Sequence, residues 1–182
     1  MKILFTILMV SWFMPNEIDM NNRTFHREVQ SVFNVTPDKL VRLETQKGES
    51  DGQSGQFFSV QCSDKGGFAW VGRVNSCRAG GCSDSQMPAG PADLKGEFFD
   101  YFILFDEDAS VRSVRVFNYQ ATHGHGIMSR GWLRQFNGYS GERKLEPGKN
   151  VDAISGATIS VQAITADIER RTLSLKALIQ DN

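Results

Sequence analysis

The chain has 182 residues, of which 40% are hydrophobic and 23% charged, a size and balance that suit one globular domain with a core of its own. Its 20 Lys and Arg oppose 21 Asp and Glu for a net charge of −1, which gives no general attraction to nucleic acid or to anionic lipid. Neither an internal repeat nor a long low-complexity tract is present, which argues against a solenoid or a linker-rich scaffold.

Lys2 is followed by an apolar run from Ile3 to Met14, closed by Pro15-Asn16-Glu17. One positive residue, a short apolar segment and a polar break predict a secretory signal peptide or N-terminal anchor over residues 1–20, with the domain proper at 21–182. The run is shorter than the ~20 apolar residues of a membrane-spanning helix, so its other reading is a buried N-terminal helix. No Cys follows it to carry a lipid.

Asn21 to Asn34 reads as an amphipathic helix, with Phe25, Val29, Val32 and Phe33 at helical spacing. Thr36-Pro37-Asp38 has the form of a second helix start, Thr36 as N-cap and Pro37 in the first turn, with Leu40, Val41 and Leu43 behind it. Lys47 to Gly55 is a polar loop. Phe57–Cys62 and Phe68–Val74 read as strands around the turn Ser63 to Gly67. The segment from Ala79 to Gly96 is rich in Gly, Pro, Ser and Asp and reads as a long excursion beside Cys77 and Cys82. In an exported protein these two cysteines are expected to pair as a disulfide, the intervening glycines letting the loop turn, with Cys62 left over.

Phe98–Phe105 and Val111–Tyr119 flank Asp106-Glu107-Asp108-Ala109-Ser110 and predict a hairpin, its first strand apolar enough to be central. Gly131–Phe136 suggests a short helix and Asn137–Asn150 a loop. From Ile159 to the C-terminus, Val161, Ile164, Ile168, Leu175 and Ile179 line one stripe of a helix. Helices, hairpin-linked strands and a terminal helix favour an α+β fold with a mostly antiparallel sheet flanked by helices. No G-x-G-x-x-G follows a strand, so a dinucleotide-binding parallel sheet is not expected.

The most informative stretch is Asp152-Ala153-Ile154-Ser155-Gly156-Ala157-Thr158-Ile159-Ser160, directly before the terminal helix. A helix start offers free backbone N–H groups to a phosphate, and Gly156 and Ala157 leave room for a bulky group. Thr158 and Ser160 bring hydroxyls to the same place. On spacing alone, simple capping of the helix by Asp152 or Ser155 explains the stretch better.

Asp152-x-x-Ser155-Gly156-Ala157-Thr158 resembles the D-x-x-[ST]-G-A-T motif of the FMN-binding domain family, which includes flavin-carrying subunits of the sodium-pumping NADH:quinone reductase and of the Rnf electron-transfer complex. The resemblance implies FMN as cofactor, joined through its phosphate to the Thr158 hydroxyl. The partner it implies for attachment is a flavin transferase that uses FAD and Mg²⁺. Asp152, Ser155, Gly156 and Ala157 are then the context of attachment. Gln120-Ala121-Thr122-His123-Gly124-His125-Gly126 resembles the family's glycine-rich loop after the second hairpin strand, often E-T-P-G-x-G. Thr122, Gly124 and Gly126 match; Ala121 replaces the acidic residue and His123 the proline. His123 and His125 are candidates for hydrogen bonds to the flavin ring, or exposed loop residues. Arg130 and Arg134 are candidates to stabilise a reduced, anionic flavin, or solvated charges. The resemblance runs from about Phe68 to the terminal helix.

The implied function is an extracytoplasmic electron carrier, exported to the periplasm or the outer side of a membrane, exchanging electrons with redox partner proteins, whether free or membrane-bound. No nucleophile–base pair or paired carboxylate suggests a stand-alone enzyme. Three other readings stay open: a module that binds FMN without a covalent bond, a structural domain without flavin, and a metal-binding protein using His123, His125, Cys77 and Cys82. A thiol–disulfide role for Cys77 and Cys82 ranks below a stabilising bond.

Overall fold

The computed structural model describes residues 17–35, 39–44, 55–62, 66–76 and 97–180. Among the described residues helix α1 spans Arg23–Phe33, and five strands follow: β1 Leu40–Arg42, β2 Gly55–Val60, β3 Gly67–Ser76, β4 Glu97–Phe105 and β5 Val111–Tyr119. Two 3-10 turns, His125–Met128 and Arg134–Phe136, bracket the short helix α2 at Arg130–Leu133, and helix α3 runs over Thr158–Gln180. The strands form one antiparallel meander in the order β1-β2-β3-β4-β5. The expected α+β architecture is the one observed. Among the described residues no helix is long and apolar enough to cross a membrane.

Because side chains alternate across a strand, the sheet presents two apolar faces. Val60, Ala69, Val71, Phe102 and Leu104 face Phe25, Val29 and Phe33 of α1. Phe57, Trp70, Val74, Phe99, Tyr101, Ile103 and Phe105 face the other way, against Val161, Ile164, Ile168 and Leu175 of α3. Full burial of a Phe or Leu side chain is worth roughly 1.5–3 kcal/mol, so the β4 run from Phe99 to Phe105 anchors both layers. Asn22 caps α1 through its side chain, which accepts from the Thr24 N–H, and Asn34 ends the helix in the left-handed conformation.

Several charged groups inside these layers are paired, while Trp70 Nε1, Arg115 Nε, His26 Nδ1 and Thr165 Oγ1 are buried without a hydrogen-bond partner among the described residues. On the α1 side, Arg73 on β3 and Asp100 on β4 are cross-strand partners joined at 2.6 and 3.0 Å, and the Asn118 amide donates to the same carboxylate at 2.7 Å. Glu28 of α1 accepts from Arg115 at 2.8 Å and from Ser113 at 2.7 Å, tying the helix to β5. On the α3 side, the Tyr101 hydroxyl donates to Asp167 at 2.5 Å, Arg171 approaches the same carboxylate at 3.2 Å, and its guanidinium lies over the Trp70 ring.

The second helix expected from Thr36-Pro37-Asp38 is not formed by Leu40, Val41 and Leu43. Leu40–Arg42 is strand β1, in register with Val60, Ser59 and Phe58. The edge of β2 offers three residues a ladder of backbone bonds, which outweighs a capping signal with too few apolar residues behind it for a stable helix. Thr36–Asp38 themselves lie outside the described residues, as do residues 1–16, most of the loop 47–55 and the whole segment with Cys77 and Cys82. Strand β2 begins at Gly55, two residues before the expected start, and ends at Val60 rather than Cys62. A Cβ on Gly55 would lie 2.2 Å from Cζ2 of Trp70, and one on its cross-strand partner Gly72 2.5 Å from Nε1 of the same ring. These glycines are strand residues that make room for an indole, which a loop reading of Gly55 does not capture.

Candidate functional site

The stretch preceding α3 is held from two sides. The Asp152 N–H donates to Oε1 of Gln135 at 2.7 Å, and the Asp152 carbonyl accepts from Nε1 of Trp132 at 2.8 Å. The short helical segment after β5 thus fixes the entry to the motif through backbone groups, while the Asp152 side chain stays exposed. Residues Ile154 to Ala157 then form a four-residue turn closed by the Ala157 N–H on the Ile154 carbonyl at 3.1 Å. Gly156 is its third residue with φ +75°, the position and sign that favour glycine, and a Cβ there would meet nothing within 4 Å.

Thr158 is the first residue of α3, and the Ala157 carbonyl takes the first helical hydrogen bond, from Val161 at 2.9 Å. Ala157 therefore occupies the N-cap position, where its side chain has no oxygen to offer the first turn. Neither Asp152 nor Ser155 caps the helix, so capping does not account for them. The first-turn N–H groups are left to solvent or to an anion, beside the exposed Thr158 hydroxyl and the exposed Ser155 and Gly156. Ala157 itself is buried and seats the turn on the core.

The glycine-rich loop abuts this turn. A Cβ on Gly126 would lie 2.8 Å from Cγ2 of Ile154, inside the motif turn. Gly124 has φ +94°, and a Cβ there would come within 2.6 Å of both the Ser160 and the Tyr119 hydroxyl oxygens. Thr122 is held by Glu97 at the start of β4: Oε1 accepts from its N–H at 3.1 Å and from its hydroxyl at 2.5 Å. An acid thus meets this loop although Ala121 stands at the family's acidic position; Ala121 is buried. His123 and His125 are both exposed, and the His125 ring centroid is 4.7 Å from that of Tyr119.

The fold therefore seats Gly126 on Ile154 of the 152–158 motif and Gly124 on Ser160 of the first turn of α3, with His123 and His125 exposed on the same loop and Thr122 tied to Glu97. Arg130 and Arg134 are exposed on the neighbouring short helix and 3-10 turn. Sequence reasoning missed Tyr119, Ser76, Glu97, Gln135 and Trp132. Tyr119 Oη lies 2.5 Å from the His123 carbonyl and 2.9 Å from Ser160 Oγ, which is in turn 3.3 Å from Ser76 Oγ. Burial pushes the Tyr119 hydroxyl up, against the hydrogen bond from Ser160. The only local signal for Tyr119 was its place at the end of an expected strand. Among the described residues no group of three or more His, Cys, Asp or Glu could hold a metal ion; Cys77 and Cys82 lie outside them.

Residues 95–170 match the model of the FMN-binding domain, a range that takes in β4, β5, the glycine loop, the 152–158 motif and the first half of α3. No curated protein matches the chain.

Proposed function

We propose that the protein is an extracytoplasmic electron-transfer module that carries FMN in phosphoester linkage to Thr158, a reading supported by the match of residues 95–170 to the FMN-binding domain. The carrying observation is the state of Thr158. Its hydroxyl is exposed at the uncapped start of α3, directly after an intact D-x-x-S-G-A-T turn. The residues fit the group: an open left-handed glycine beside the threonine and unclaimed first-turn N–H groups for a phosphate.

In attachment, the Thr158 oxygen would bond to the FMN-side phosphorus of FAD as the phosphoanhydride breaks, and AMP would leave with the hydroxyl proton; a flavin transferase with Mg²⁺ would supply the catalysis. When bound, FMN supplies reversible one- and two-electron transfer. The chain's own residues hold and tune it. The turn fixes the attachment point, Gly124 and Gly126 let the loop seat directly on Ser160 and Ile154 beside it, and His123, His125, Arg130 and Arg134 supply exposed polar groups near the loop. The run after Lys2 supports export to the periplasm or the outer face of a membrane, where redox proteins would be the partners. The second reading, FMN bound without a covalent bond, uses the same loops and leaves Thr158 unmodified.

The test is co-expression with a flavin transferase, followed by denaturation, intact-mass measurement and in-gel flavin fluorescence. A mass gain of FMN less water that disappears in Thr158→Ala is expected. An unmodified wild type, beside a second substrate that the same transferase does modify, would sink the covalent assignment and favour the non-covalent reading.

A further inference from the structure

Three hydroxyls and one carbonyl form a directed chain beside the glycine loop. The His123 carbonyl can only accept, so the single proton of Tyr119 Oη points to it at 2.5 Å. Tyr119 then accepts at 2.9 Å, which makes Ser160 the donor there. With its own proton committed, Ser160 Oγ accepts from Ser76 at 3.3 Å. The order Ser76, Ser160, Tyr119, His123 crosses from the end of β3, over the first turn of α3, to the loop after β5.

The Tyr119 ring is fixed independently of its hydroxyl. It stacks on Phe99 at 5.8 Å with planes 11° apart and meets His125 at 4.7 Å. Ser160 is buried, and Gly124 leaves no room for a Cβ between these two hydroxyls. The loop and the helix start can therefore approach in one arrangement only, set by the position of Tyr119 Oη.

We infer that Tyr119 is a positioning residue for the flavin: its hydroxyl locks the His123–Gly126 loop to the first turn of the Thr158 helix and so fixes the orientation of a cofactor carried on that turn. The inference rests on the assignment of FMN to Thr158, and it gives the single tyrosine at the end of β5 a role that its exposed neighbours His123 and His125 do not have. Loss of the hydroxyl orphans a buried serine donor and frees the loop carbonyl. Loss of the Ser160 hydroxyl leaves the bond from Tyr119 to His123 in place. The two variants should therefore differ in degree.

The test uses the full chain co-expressed with a flavin transferase, as wild type, Tyr119→Phe and Ser160→Ala, with the flavin-loaded fraction identified by mass. The readouts are the circular dichroism induced in the flavin absorption bands and the flavin midpoint potential, neither of which a purely stabilising contact would move. Tyr119→Phe is expected to lose most of the induced dichroism and to shift the potential toward that of free FMN, and Ser160→Ala to do so to a lesser extent. Wild-type dichroism and potential in loaded Tyr119→Phe would overturn the inference. Should Tyr119→Phe fail to fold, Ser160→Ala decides: unchanged signals overturn, a partial loss supports. A wild type without the mass gain would refute attachment separately. Titration of FMN into folded wild type and Tyr119→Phe then decides, with about three- to tenfold weaker binding by the variant expected from one lost hydrogen bond and equal affinity overturning.

Discussion

Gly126 and Ile154 are in contact so close that a single methyl group on the glycine would lie 2.8 Å from Cγ2 of the isoleucine. Twenty-eight residues apart in sequence, the two belong to the glycine loop and to the 152–158 motif, and their contact is where one segment rests on the other. Ile154 is branched at Cβ and cannot swing its Cγ2 away without leaving a preferred rotamer. Gly126→Ala is expected to cost about 1–3 kcal/mol by overpacking.

Gly156 provides the contrasting case. Space is open around it, but its φ is +75°. Ala there should cost about 1–2 kcal/mol through backbone strain alone, and Asn, which tolerates the left-handed region, should cost less than Ala. At Gly126 the ranking reverses, since Asn is larger than Ala. Urea unfolding of the four variants checks this; the same Ala-to-Asn order at both positions would refute the distinction between crowding and strain.

Much of the fold was legible because it rests on local patterns. The β4–β5 hairpin follows from an apolar run and a five-residue polar turn, and α3 from a helical stripe that begins where the motif ends. Of that stripe, Val161, Ile164, Ile168 and Leu175 are buried, while Ile179 sits at the exposed end of the helix. Strand β1 was misread because its stabilising partner, the edge of β2, lies across a loop, whereas the misleading Thr-Pro-Asp signal is contiguous with it. The site was half legible for the same reason. The motif residues are neighbours in sequence, but Tyr119 meets Ser160 over 41 positions and Glu97 meets Thr122 over 25, and no short-range pattern records either contact.

Long-range polar pairs also decide stability. Tyr101 is fully buried and donates to Asp167 across the main core, where Asp167 also faces Arg171. Tyr101→Phe should cost about 1.5–3 kcal/mol, the worth of a hydrogen bond to a charged acceptor. Asp167→Ala should cost about 3–5 kcal/mol, because it leaves the Arg171 guanidinium buried without its carboxylate. In the double variant the penalties should fall short of their sum, since both remove the same bond. Strict additivity in urea unfolding would show that the pair contributes nothing beyond its separate burial.

Alkaline pH probes a different tyrosine. Tyr139 donates to the Arg143 carbonyl at 3.1 Å, and burial, reinforced by the charge of Glu169 and opposed by Arg143, raises its pKa to about 12. The unfolded chain ionises this phenol near 10. The folded state therefore binds the proton more tightly, so the stability it contributes is complete below about pH 10 and is lost as pH rises toward about 12. Tyr101 and Tyr119, both raised chiefly by burial, act with the same sign. Urea midpoints measured between about pH 8 and about pH 11 should fall in the wild type and fall less steeply in Tyr139→Phe. The variant also lacks the bond to Arg143, so its whole curve should sit lower at neutral pH; only the slope reports the ionisation. An unchanged slope in Tyr139→Phe would mean that this phenol is equally free to ionise in the folded and unfolded chains.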